Sequence, residues 1–238
     1  MINLLSVEYM VGTLVFFIAY LVVITPAGYV RAWVADKLGD YTPYDAGFLT
    51  LNPLPHISPV GLIFLCISYF GWPRYILINP YNIHGYYRPV RWLTAYFSDT
   101  VMYLFMGLVG LVLLIVQCGT SILYAASMMI YYADCKTHLF LARMYPHFSS
   151  FTIDIAFILI AITYLSIALA VVNFIMNLCQ LCLIYLVEDS PEKVEEYWYL
   201  QWLLPVVLFS LFGCPLRSLI LRLMIKAGLA IAHVLHIA

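Results

Sequence analysis

Few side chains in this 238-residue chain could do chemistry. Cys179-x-x-Cys182 has the spacing of a redox or metal pair. It sits inside an apolar run and lacks the strand-and-helix setting of a thioredoxin-like motif, so it reads as two small hydrophobes, as do Cys66, Cys118 and Cys214. Cys135-x-x-His138, with His147 nearby, is a second candidate metal cluster; it falls in a polar stretch, where solvated loop residues are expected. Asp154 and Asn173 share one long apolar run and could mark an ion path, because ionisable groups at membrane depth are costly and usually functional. Asp154 lies near the start of that run and reads equally well as interfacial. Arg31 follows the first apolar run. A guanidinium at that depth needs a partner, and the candidates are Asp36 or an acid on another chain.

The elements that must position these residues are membrane helices. Of all residues 65% are hydrophobic and only 10% charged, against about a quarter charged in soluble domains, and mean hydropathy is +0.96. A net charge of −1 leaves no electrostatic footprint for nucleic acid. A span needs about 20 apolar residues. Val11 to Ile24 begins a first span, which starts near Ser6 and runs on towards Arg31; with no basic segment before it, the run is not expected to be a cleaved signal. Residues 27–58 carry Gly, Pro, Asp and Asn and predict a surface or re-entrant segment. Val60 to Phe70 is too short to cross, and Leu93 to Val116 makes a second span. Phe151 to Val187 is too long for one ordinary crossing, which predicts two helices or a break near Asn173 and Asn177. Tyr197 to Gly213 predicts another span with a kink at Pro205. The C-terminal piece from Leu216 places Arg222, Lys226 and His233 on one face. Arg31, Lys37, Arg74, Arg88 and Arg91 in 27–92, against no basic residue in 1–10, put the N-terminus outside. The expectation is a single all-α membrane domain over 1–238. Its parts are a first span (1–26), a re-entrant region (27–92), central spans (93–187), and C-terminal spans or an amphipathic helix (197–238).

One region carries unusual polar motifs in a fixed order. Leu38-Gly39-Asp40 is followed by Gly47-x-Leu49-Thr50-Leu51-Asn52-Pro53, His56-x-x-Pro59-x-Gly61, Phe70-Gly71-Trp72 and Asn79-Pro80-Tyr81-Asn82. Across roughly residues 27–83 this resembles the compact bacterial branch of the site-2 protease family of intramembrane zinc metalloproteases. The rest of the chain matches that family only in hydropathy and in a weak Leu169-Ala170-Val171-Val172-Asn173. The resemblance implies a helical membrane bundle with a re-entrant segment. It also implies an H-E-x-x-H helix, in which two His hold zinc and the Glu is general base, with a later Asp as third ligand.

This chain departs from that pattern at each chemical position. Counting back from the L-G-D turn, the first His falls on Ala27, the Glu on Gly28 and the second His on Arg31. Counting forward from Asn173, the Asp falls on Leu181. Alanine and leucine cannot coordinate, glycine cannot act as a base, and arginine offers a metal no lone pair. The expectation is a non-enzyme with no metal and no cofactor: a pseudoprotease serving as a structural or accessory subunit of a membrane complex, in a bacterial or mitochondrial inner membrane. Its expected partners are other integral membrane subunits and lipid, with no nucleic acid. The alternatives are a regulatory pseudoprotease that grips single-pass helices, and a small transporter. Candidate contact or groove residues are Arg31, Asn52, His56, Asn79, Arg222 and Lys226. For His56 and Asn52 the plainer reading is that they satisfy backbone groups in a re-entrant turn, because unpaired backbone at membrane depth costs several kcal/mol.

Overall fold

A computed structural model describes residues 7–123, 126, 141, 145–186 and 200–235. Among these the regular structure is helical, with one isolated antiparallel bridge between Ile57 and Pro73. The main helices are α1 (Val7–Leu38), α2 (Pro59–Ser68), α3 (Arg88–Cys118), α4 (Ser150–Leu186) and α5 (Leu200–Val234). Among the described residues, three segments are long and apolar enough to cross a membrane: Tyr9–Leu38, Arg88–Cys118 and Ser150–Cys182, with mean hydropathies of 2.2, 2.4 and 2.8. The protein is thus an all-α membrane bundle. The α4 segment is the most enclosed, with 67% of its apolar window buried against 44% and 39% for the other two, so it forms the centre. Cys135, His138 and the acidic stretch Glu188 to Glu196 lie outside the described residues.

Between α1 and α3 the chain makes a re-entrant hairpin, traceable by its contacts along α1. Ser58 accepts from Gly61 N at 3.2 Å and caps α2, with Pro59 in the first turn. At this start, Ser58 N donates to the Tyr20 hydroxyl in the middle of α1. At the far end of α2, Tyr69 takes a left-handed conformation (φ 57°) and packs its ring against Tyr9 and Phe16, near the N-terminal end of α1. The chain then returns: Trp72 O accepts from Tyr20 at 2.9 Å, Arg74 N donates to His56 O at 2.7 Å, and Asn79 N reaches Asp40 past the C-terminal end of α1. The hairpin therefore enters and leaves at one end of α1 and reaches nearly to the other. Its two arms touch because they meet at glycine. A Cβ on Gly61 would stand 2.1 Å from Trp72 O, and one on Gly71 would stand 2.4 Å from Gly61 O. Irregular backbone at this depth is tolerated only where protein buries and satisfies it, and α1 supplies that cover.

Close approach also fixes α3 on α4. A Cβ at Gly110 would meet Thr163 Oγ1 at 2.5 Å, and one at Gly107 would meet Ile167 Cγ1 at 3.0 Å. Membrane helices, which gain nothing from burying apolar surface away from lipid, associate through such small-residue seams.

Three helix boundaries differ from those read off the sequence. The expected break near Asn173 and Asn177 is absent, and α4 is continuous over 37 residues. No Gly or Pro interrupts it, and both asparagines find partners without breaking it. Asn173 Nδ2 donates to Leu169 O one turn back at 3.0 Å, while Asn177 bonds across the bundle. The first helix continues through Pro26 to Leu38, carrying the first twelve residues of the 27–92 region into the span. At the C-terminus one helix, α5, covers what hydropathy divides into a span and a separate amphipathic piece.

Candidate functional site

The Leu38-Gly39-Asp40 and Asn79-Pro80-Tyr81-Asn82 motifs are two halves of one joint. Gly39, at φ 102°, terminates α1 as a left-handed C-cap. This turns the fully buried Asp40 carboxylate toward the returning hairpin. One oxygen accepts from Thr42 N (3.2 Å), Thr42 Oγ1 (2.6 Å) and Asn82 Nδ2 (3.0 Å); the other accepts from Asn79 N (2.8 Å). Four donors satisfy a buried carboxylate, so Asp40 fastens the end of α1 to the hairpin. The Asn79 side chain accepts from Tyr81 N at 3.0 Å and caps a 3-10 turn. Asn52 is exposed and accepts from Leu54 N at 3.2 Å. Both serve the backbone of turns.

About two turns back along α1 from that joint, Arg31 is only 2% exposed. Its Nη1 lies 2.7 Å from Asp99 Oδ2 on α3 and 2.9 Å from Asn177 Oδ1 on α4, and also donates to Tyr96 O at 3.3 Å. Nη2 donates to the Tyr75 hydroxyl at 3.1 Å, and that hydroxyl donates to Gln180 Oε1. Asn177 Nδ2 closes the ring by donating to Asp99 Oδ1 (3.1 Å) and Thr100 Oγ1 (3.2 Å). The rings of Tyr75 and Tyr96 lie 5.0 and 5.6 Å from the guanidinium carbon. Burial pushes the Tyr75 hydroxyl above the ordinary tyrosine range, which keeps it a donor. One guanidinium thus ties together the three long apolar helices and the hairpin. This corrects the expected partner: it is Asp99 of the same chain. Asp36 pairs with Lys37 instead, at 3.8 Å. Both Nη atoms of Arg31 are bonded inside the fold, and the group is buried away from the surface where a neighbouring subunit would meet it.

Gly28, which the resemblance to site-2 proteases sets opposite their Glu, faces His56. A Cβ there would stand 2.2 Å from His56 Nδ1 and 2.7 Å from Cε1, so the imidazole occupies the space where a side chain would begin. His56 is buried, and its Nε2 lies 3.0 Å from Thr50 O. A carbonyl only accepts, so Nε2 carries the proton and Nδ1 the lone pair. Burial holds the ring's pKa below its usual 6.5 and keeps it neutral, against the smaller opposing pull of the Thr50 carbonyl. A cavity of about 40 Å³ lies alongside, lined among others by Gly28, Arg31, His56, Trp72, Asp99 and Asn173.

The structure brings Gly28, Arg31, His56 and Asn173 to this cavity and leaves the other singled-out residues elsewhere. Ala27 is fully buried in the apolar core. Leu181 packs one turn beyond the site with Ala35, Ile78 and Tyr96. The α4 side chain that meets Arg31 is Asn177, four residues and about one turn earlier. Asp154 is exposed and lies 19 residues, roughly 28 Å, from Asn173 on the same helix, so the two do not form one path. Arg222 and Lys226 are exposed on α5. Sequence reasoning missed Asp99, Tyr75, Asn177 and Gln180 as members of the network. A lone Asp in the otherwise apolar stretch of α3 was the available signal.

The donor set does not fit zinc. Zinc sites use thiolates, imidazoles and carboxylates. Here one position holds a guanidinium, two hold no donor, and the nearby carboxylate is bonded to Arg31. Among the described residues no group of three His, Cys, Asp or Glu converges.

Comparison with known proteins gives a partial match. Over 49 residues the chain is 47% identical to YwhC of Bacillus subtilis (strain 168), a candidate zinc metalloprotease. The matched segment is 21% of this chain and 22% of YwhC, so it spans about a fifth of each protein. No family model matches the chain, and no solved structure does.

Proposed function

We propose that this chain is a degenerate, catalytically inactive relative of the site-2 proteases, acting as a structural or accessory subunit of a larger complex in a bacterial or mitochondrial inner membrane. The observation that carries this reading is the Arg31–Asp99–Asn177 network at the place where the family binds its metal. A ligand position has become a structural tie. The partial likeness to a metalloprotease and the preserved Asp40 joint support retention of the fold for a use other than chemistry. The face of α5 bearing Arg222 and Lys226 is the better candidate for a subunit contact, with lipid phosphates as the competing ligand.

A second reading, a regulatory pseudoprotease that holds single-pass helices without cutting them, has less support, because the cavity beside the returning hairpin arm, at about 40 Å³, is far too small for a helix about 10 Å across. A transporter reading has less support, given the distance between Asp154 and Asn173. Purification from the native membrane in mild detergent discriminates. The expected result is a fixed set of integral membrane subunits in constant ratio, weakened by Arg222→Ala with Lys226→Ala. Capture of assorted single-pass proteins would favour the second reading, and a well-folded monomer with no companion would overturn the subunit role.

A further inference from the structure

From the charge and the unsatisfied donors around the cavity, we infer that the former metal position is now a binding site for a small anion of carboxylate or halide size. The inference rests on the reading that no zinc occupies this place. Two guanidinium groups, Arg31 and Arg74, and one carboxylate, Asp99, line the cavity. Asp99 is committed to Arg31 at 2.7 Å, which leaves one positive charge in excess. Arg74 is exposed, its guanidinium lies over Phe48 at 5.7 Å, and no carboxylate pairs with it among the described residues.

Two lining residues also carry buried nitrogens with no partner, Arg31 Nε and Trp72 Nε1. Both are N–H donors and cannot accept. A buried donor left unpaired is rare and calls for an occupant. The remaining unpaired nitrogen, His56 Nδ1, is turned onto Gly28 and takes no part in holding the anion. A cavity of about 40 Å³ has room for about three water-sized groups, which suits formate, chloride or the carboxylate end of a larger molecule. A site that in an active relative attracts a cation has thus reversed its preference.

The test uses the full chain in an uncharged detergent. Zinc content is measured first, and thermal unfolding is then followed in sodium formate, sodium chloride, N-acetylaspartate and sodium isethionate at equal ionic strength. Isethionate carries no carboxylate, and its sulfonate head is bulkier than a carboxylate or a chloride. Formate or chloride should raise the unfolding midpoint above that in isethionate. The formate concentration giving half of the effect should rise at least tenfold in Arg74→Gln, which alters an exposed side chain and should fold, and in Trp72→Phe. A free anion is the ligand if formate acts and N-acetylaspartate does not; a carboxylate borne on a peptide is equally accepted if both act. Equal midpoints in formate and isethionate, or a formate effect unchanged in both variants, would mean the cavity holds water only and would overturn the inference. Stoichiometric zinc would instead overturn the reading beneath it.

Discussion

Arg31 and Asp99 are each nearly dry, and their separation of 2.7 Å makes either one a liability without the other. Removing one member of a buried ion pair typically costs about 3–5 kcal/mol, because the survivor keeps its desolvation penalty, whereas replacing both by apolar residues is often close to neutral. Asp99→Ala should therefore destabilise the chain by about 3 kcal/mol or more, and Arg31→Met with Asp99→Leu should recover most of that loss. Denaturant unfolding in detergent micelles measures both. A double variant no more stable than Asp99→Ala would show that the pair is not the tie. That Arg31 needs a partner follows from its depth alone, so the requirement was legible in the sequence. The identity of the partner was not, because Asp99 is 68 residues away and only the packing of α1 on α3 brings them together. His56 and Gly28 show the same limit. Each has an ordinary reading by itself, and only their contact explains why no side chain grows at position 28.

At the level of elements, composition read correctly what lies in the membrane and read poorly where helices stop. Hydropathy located the three apolar spans. It also found α2, whose ten residues are too few to cross. It failed at Asn173 and Asn177, where polarity suggested a break: buried amides that bond across a bundle look, in sequence, the same as amides that end a helix. Orientation follows from charge. Arg31 is neutralised by Asp99 and should be dropped from the count, leaving Lys37, Arg74, Arg88 and Arg91. Arg91 donates to Leu38 O at 3.1 Å, so the end of α1 and the start of α3 share one end of the bundle, and Lys37, Arg88 and Arg91 gather there. Basic residues flanking spans favour the cytoplasmic side, or the matrix side in mitochondria. Tyr86 is 94% exposed at this end. In an otherwise cysteine-free chain, Tyr86→Cys should be labelled by an impermeant thiol reagent only after the cells are opened. Labelling in intact cells would reverse the orientation.

At the scale of the whole molecule, tight backbone contacts surround a polar centre. The Asp40 joint, the glycine contacts within the hairpin and the Gly107–Gly110 seam all hold a helical scaffold with a re-entrant arm. At its centre, where chemistry is expected, the chain has Ala27, Gly28 and a committed Arg31. The network spends its polar groups on joining α1, α3, α4 and the hairpin. The most direct test of this is the metal content of the purified protein, measured by elemental analysis together with hydrolysis of membrane-embedded peptides. The expected result is zinc well below one atom per chain and no cleavage, before and after incubation with excess zinc. One zinc per chain, lost to a chelator together with a peptidase activity, would contradict it.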